Sequence, residues 1–213
     1  MSQAAHQCVF TSWGRVQRVA HTALRVSSRH APLSLPDDGG TVLPYGNGRS
    51  YGDSNLNPGG ALLLAGQLDR FIDFDPCTGL LRCEAGVLLS TILRLVVPQG
   101  WFLPVTPGTQ FVTVGGAVAN DVHGKNHHVA GSFCDHVDWL DLDLGDGRVL
   151  RCSTSEHAEL VCKPCQRIFR IEQLPAQIGI IHGVAVCYCV AAKPLLVNLF
   201  CNIWRVGRRC IRR

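Results

Sequence analysis

At 213 residues the chain can form one domain or two small ones, and its 46% hydrophobic and 17% charged content excludes a disordered tail protein. The 22 glycines and 11 prolines follow no Gly-X-Y period, which excludes a collagen-like chain. The net charge of +4 conceals a break near residue 160. Residues 1–160 carry 11 Lys+Arg against 15 Asp+Glu, whereas residues 161–213 carry 9 against a single acid, Glu172. Eleven cysteines are an odd number for a complete disulfide framework, and Met1 is not followed by a basic and then apolar leader. A reduced, cytoplasmic chain is the expectation.

The first 35 residues show little periodicity, and Trp13-Gly14-Arg15 is their one distinctive cluster. Thr41–Pro44 predicts a short strand feeding a Gly-rich loop, Tyr45–Asn57. Ala61–Ala65 and Phe71–Phe74 predict strands, and Asp75–Gly79 is a turn by composition, returning through Leu80–Glu84 as a hairpin. Leu88, Leu89, Ile92, Leu93 and Val96 have helical spacing, ended by Pro98 and Gly100. Trp101–Val105 is a candidate strand, Pro107–Thr109 a turn, and Gly115-Gly116-Ala117 the place for a helix start or a close backbone approach. Asp141–Leu144 and Val149–Cys152 predict a second hairpin around Gly145-Asp146-Gly147. To residue 160 the pattern is α+β, with strands in hairpins rather than in βαβ alternation.

Two blocks carry chemistry. In Pro44-Tyr45-Gly46-Asn47-Gly48-Arg49-Ser50-Tyr51-Gly52-Asp53 the close glycines after a strand let successive N–H groups face one concavity, an anion nest to which Arg49 and Ser50 add donors. An ordinary Gly-rich connection has the same composition. The spacing is neither the G-x-G-x-x-G of a Rossmann turn nor a P-loop. The second block runs Pro107-Gly108-Thr109, then Thr113-Val114-Gly115-Gly116-Ala117, then Asn120-Asp121-Val122-His123-Gly124-Lys125-Asn126-His127-His128. Its small residues and dense polar run suit a planar or phosphorylated ligand. Its histidines suggest metal, but adjacent His127 and His128 point apart in most backbones and no H-E-x-x-H spacing is present, so no metal is expected.

Together the blocks resemble the FAD-binding (PCMH-type) domain of the vanillyl-alcohol oxidase superfamily, and within it the decaprenylphosphoryl-β-D-ribose oxidases and their bacterial relatives. The residues that carry the resemblance are Trp13-Gly14-Arg15, GNGRSYGD at 46–53 and PGTQFVTVGGAVANDVHGKNHHVAGSF at 107–133. It implies an incomplete FAD-binding domain over 12–160, built from two α/β subdomains. Pro44 through Ser54 would wrap the FAD pyrophosphate. Gly108, Thr113, Val114, Gly115, Gly116, Asn120, Asp121, Val122 and His123 would supply further FAD contacts. Some relatives attach the flavin covalently through a histidine in the first loop; Arg49 stands at that place here, which implies non-covalent FAD. His123 and Lys125 are implied as polar active-site residues, in a hydride transfer from a sugar or sugar-lipid CH–OH carbon to flavin N5.

After Val161 the resemblance ends. The expectation there is an unassigned basic, Cys-rich tail, replaced for example by a frame shift, on a domain that lacks its substrate-binding part. Cys162-Lys163-Pro164-Cys165 and Cys187-Tyr188-Cys189 offer zinc-type pairs without the small turns of a ribbon. Residues 178–192 are free of charge but too short to span a bilayer, though flanking arginines would favour an anionic membrane face. Nucleic-acid binding lacks any supporting fold motif. Three functions compete: an FAD-dependent oxidoreductase, a non-catalytic FAD-binding remnant, and a membrane-attached adaptor.

Overall fold

The computed structural model describes residues 6–157, apart from 32, 34, 36–39 and 147, together with 204–205 and 207–208. Four strands form the first sheet: β1 (His6–Phe10), β2 (Val19–Arg25), β3 (Val42–Tyr45) and β4 (Ala61–Leu64), in the order β1-β2-β4-β3. β1 and β2 are antiparallel, whereas β4 lies parallel to both β2 and β3. β4 is Ala-Leu-Leu-Leu with its first three residues buried, as expected of a strand that has neighbours on both sides. Leu24, Val26, Val42, Leu63 and Leu68 form the small core beside it.

This sheet corrects two expectations. β4 joins β2 to β3 by parallel pairing, so this sheet is not built from hairpins alone. The supposedly featureless first 35 residues supply two of its strands. In β2 the alternation is hidden because a core position is polar. His21 is 1% exposed, its Nδ1–H donates to the Val19 carbonyl (3.0 Å), and its Nε2 accepts from the Asn57 amide (2.8 Å). A satisfied imidazole of this kind costs little to bury but breaks the hydrophobic pattern that sequence reading depends on.

The second half begins with the expected hairpin, β5 (Phe71–Asp75) and β6 (Leu80–Cys83). Its turn is set by Asp75, whose carboxylate accepts from the Cys77 amide and the Thr78 hydroxyl, bonds that hold its pKa below the usual range. Helix α1 (Leu89–Val96) buries Leu89, Ile92 and Val96 at helical spacing, and after one 3-10 turn Gly100 ends it at φ +81°. β7 covers only Trp101–Phe102, shorter than expected, since Pro104 has no N–H to continue a ladder. Then follow α2 (Val114–Ala119), α3 (His127–Ala130), a 3-10 turn at Phe133–His136, and the antiparallel pair β8 (Trp139–Asp143) and β9 (Val149–Ser153). The larger core joins Leu81, Val87, Ile92, Val105, Ala117, Phe133 and Leu140. Two short strands, β10 (Trp204–Arg205) and β11 (Gly207–Arg208), pair antiparallel with β6 and β7. The zinc-type pairs and the uncharged run of the tail lie outside the described residues.

His136 supplies a pH-dependent term in this core. It is buried, one ring nitrogen bonds the Ala130 carbonyl, and Nδ1 has no hydrogen-bond partner among the described residues. Burial holds its pKa below the ordinary 6.5, against weaker upward pulls from that carbonyl and from Asp135. The unfolded chain therefore takes up the proton first, so the stabilisation is complete above about 6.5 and is lost as the pH falls below it. The thermal midpoint should fall between pH 7.5 and 5.5, with a shallower fall in His136→Asn. Parallel pH profiles for the two proteins would contradict this.

Candidate cofactor site

The Gly-rich loop leaves the C-terminal end of β3, where a parallel sheet ordinarily binds ligands. Gly48 and Gly52 take left-handed φ values of +61° and +59°, and their surroundings differ. A Cβ on Gly48 would lie 2.3 Å from Tyr45 Oη, so that glycine packs against its own domain, whereas a Cβ on Gly52 would meet nothing within 4 Å. A Cβ on Gly46 would come 2.5 Å from Thr113 Oγ1. Here the two motif blocks touch, although some 60 residues apart in sequence. Asn47 completes the join by donating from Nδ2 to the Phe111 carbonyl at 2.8 Å.

Thr113 is fully involved in that join. It is the N-cap of α2, its hydroxyl accepting from the Gly116 amide at 3.1 Å. The amides of Val114 and Gly115 donate to the carbonyls of Val87 and Ala85, and the Val122 amide donates to Ala117. These N–H groups serve the fold, and the Val114 side chain belongs to the core. Asn120 Nδ2 bonds the Gly116 carbonyl, and Asp121 accepts from the Cys134 amide at a φ of +39°. Gly108 has open space around it.

Next to the loop lies a cleft of about 390 Å3 lined by Thr11, Ser12, Trp13, Arg15, Tyr45, Gly48 and Arg49. Arg49 donates to the Asn47 carbonyl and its guanidinium lies 5.6 Å from the Trp13 ring centre, while its buried Nε has no partner among the described residues. Tyr45 donates to the Thr11 carbonyl; burial raises its pKa, only partly offset by Arg49, so its hydroxyl remains a donor. Tyr51 stands 81% exposed, and Ser54 bonds back to its carbonyl. Thr11 and Ser12 line this cleft although sequence reading gave neither a role, and Arg15 lines it with them. The available signal was the Trp13-Gly14-Arg15 cluster, which had no assigned partner.

His123 and Lys125 follow α2 on the exposed side. His123 forms an isolated antiparallel bridge with Ser132, and its ring centre lies 5.2 Å from that of His127. His127 Nδ1 bonds the Gly124 carbonyl, and Asn126 pins the turn to the Pro104 carbonyl. Among the described residues no three His, Cys, Asp or Glu side chains converge on a metal position.

The cradle fits a dinucleotide. The loop carries an open left-handed glycine at 52, and the cleft beside it offers a buried Arg49 guanidinium nitrogen with no partner among the described residues and two cationic side chains, Arg15 and Arg49, with no acid in its lining. An FAD-binding domain model matches residues 35–153, more than half of the chain. This chain belongs to the PCMH-type FAD-binding domain family. The FAD-binding domain is 39% identical over 142 residues to decaprenylphosphoryl-beta-D-ribose oxidase of Mycolicibacterium smegmatis, a match covering 64% of this chain and 31% of the relative. The chain as a whole is 25% identical over 202 residues to mitochondrial D-2-hydroxyglutarate dehydrogenase of Bos taurus, covering 91% of this chain and 35% of that one. The human delta(24)-sterol reductase is 30% identical over 89 residues, covering 42% and 17%. The matches thus span about a third or less of the length of these relatives.

Proposed function

We propose that this domain is the flavin-holding part of an FAD-dependent oxidoreductase acting on a CH–OH group, and that the group belongs to a sugar or sugar-lipid. The observation that carries the reading is the junction of the two blocks, Gly46 against Thr113 and Asn47 on the Phe111 carbonyl, beside an open cationic cradle. The 39% identity to a ribose oxidase supports the sugar class. FAD, when bound, supplies the hydride acceptor. Gly52, Arg49 and Ser50 hold its phosphates, and with Arg49 where a linking histidine would stand the attachment is non-covalent. His123 and Lys125 take the hydroxyl proton at the carbinol oxygen, one as acceptor and the other as charge support.

The test is spectroscopic. The purified chain, saturated with FAD and desalted, is expected to keep a flavin band that acid denaturation releases in full. Anaerobic addition of sugar lactols should bleach it, whereas D-2-hydroxyglutarate should not. Bleaching by the hydroxy acid alone would move the substrate to that class. A retained band that no carbinol bleaches would reduce the reading to an FAD-holding remnant without catalysis.

A further inference from the structure

The turn between β1 and β2 lies before residue 35, outside the stretch matched by the family model, yet it is fastened to the Gly-rich loop along most of that loop's length. The Trp13 amide donates to the Ser50 carbonyl at 3.2 Å. Ser12 Oγ donates to Asp53 Oδ1 at 3.0 Å. The Thr11 carbonyl accepts from both Tyr45 Oη (3.1 Å) and Asn55 Nδ2 (3.4 Å). Arg49 covers the Trp13 ring. Ser12 is 3% exposed although Trp13 to Arg18 beside it are all exposed, so its side chain is held inward by this contact.

A loop with glycines at 46, 48 and 52 loses much conformational freedom when it closes on a ligand. Contacts that order it beforehand move that cost into folding and leave more of the interaction free energy for binding. We propose that Thr11–Arg15 is a clamp that presets the Gly-rich loop, with Ser12 and Asp53 as positioning residues for the cofactor. The proposal rests on the FAD reading of the loop.

The experiment measures FAD dissociation constants by flavin fluorescence for the full chain and its variants, alongside the thermal midpoint of each apo-protein. Ser12→Ala is expected to weaken FAD about tenfold, as loss of a hydrogen bond to a carboxylate would. Ser12→Thr, which keeps the hydroxyl, should stay within about threefold of the parent on the same scale. Asp53→Asn, which keeps an acceptor, should also bind well, and Asp53→Ala should not. Because the pair acts as one contact, Ser12→Ala with Asp53→Ala together should bind no more weakly than the poorer single variant. Equal binding by Ser12→Ala and the parent, or losses that multiply in the double variant, would overturn the clamp. If Ser12→Ala does not fold, the contrast between Asp53→Asn and Asp53→Ala decides the matter. A parent chain that folds but binds no FAD overturns the FAD reading itself, a result distinct from failure of the clamp.

Discussion

Replacing Gly48 with valine is expected to abolish retention of FAD by the purified chain. Gly48 sits at φ +61°, and a β-branched side chain there is a steric outlier, costing of order 1–2 kcal/mol before any neighbour is considered. The neighbours make it worse. The first carbon would stand 2.3 Å from Tyr45 Oη, 3.2 Å from its Cζ and 3.1 Å from the Thr11 carbonyl oxygen. The Tyr45 ring is packed edge-on against Phe10 with centroids 4.9 Å apart, so it cannot simply swing aside. To admit the side chain, the loop must lift and the Tyr45–Thr11 hydrogen bond must break. The damage comes from within the domain, since the new carbon would enter it and displace the loop from beneath. Gly52→Ala separates the two causes: its φ of +59° carries a backbone cost, but nothing lies within 4 Å. It should fold, and bind FAD more weakly only if the open side of the loop at 52 meets the cofactor. The check is the flavin absorbance retained after desalting, with circular dichroism to confirm folding. Undiminished FAD in the Gly48→Val protein would show that this loop is not the cofactor loop.

The second large effect is expected from Gly86→Ala, at a position with no ligand role. A Cβ on Gly86 would lie 2.2 Å from the Ala65 carbonyl oxygen and 2.8 Å from that of Leu68. Both are backbone atoms, and the Gly86 amide is already bonded to Leu68 at 2.7 Å. This close approach joins the end of β4 to the chain leaving β6, and so joins the small core to the large one. Next to it, the buried Glu84 carboxylate accepts from the Arg70 amide and pairs with Arg29 at 3.3 Å. Forcing the strands apart costs about 1–3 kcal/mol by overpacking, and loss of the hydrogen bond adds about 1 kcal/mol. A total of about 3 kcal/mol lowers the thermal midpoint of a chain this size by roughly 6–12 °C. A midpoint within 2 °C of the parent (about 0.5–1 kcal/mol on that scale) would show that the two halves are not locked at this turn.

Much of the second half was legible in the chain because its elements follow the rules of local chemistry. The Asp75-to-Gly79 turn carries its own side-chain hydrogen bonds, and α1 shows its buried stripe at Leu89, Ile92 and Val96. The first sheet was read less well. β2 lacked a hydrophobic alternation because a buried core position belongs to His21, which is acceptable only because the Asn57 amide and the Val19 carbonyl are there to meet it. Those partners come from elsewhere in the fold and leave no trace in the local sequence. Parallel pairing of β4 with β2 and β3 is likewise invisible to hairpin signals, since its connections are long.

The site divides in the same manner. The family was legible in the chain through the resemblance carried by residues 46–53 and 107–133, which are runs of consecutive residues. Packing alone reveals which glycine faces a neighbour and which faces open space, that Thr113 meets Gly46, and that Ser12 reaches Asp53. Each depends on distance between residues far apart in the chain. Such distances are set by how the sheet and the two cores pack, and no local pattern encodes them.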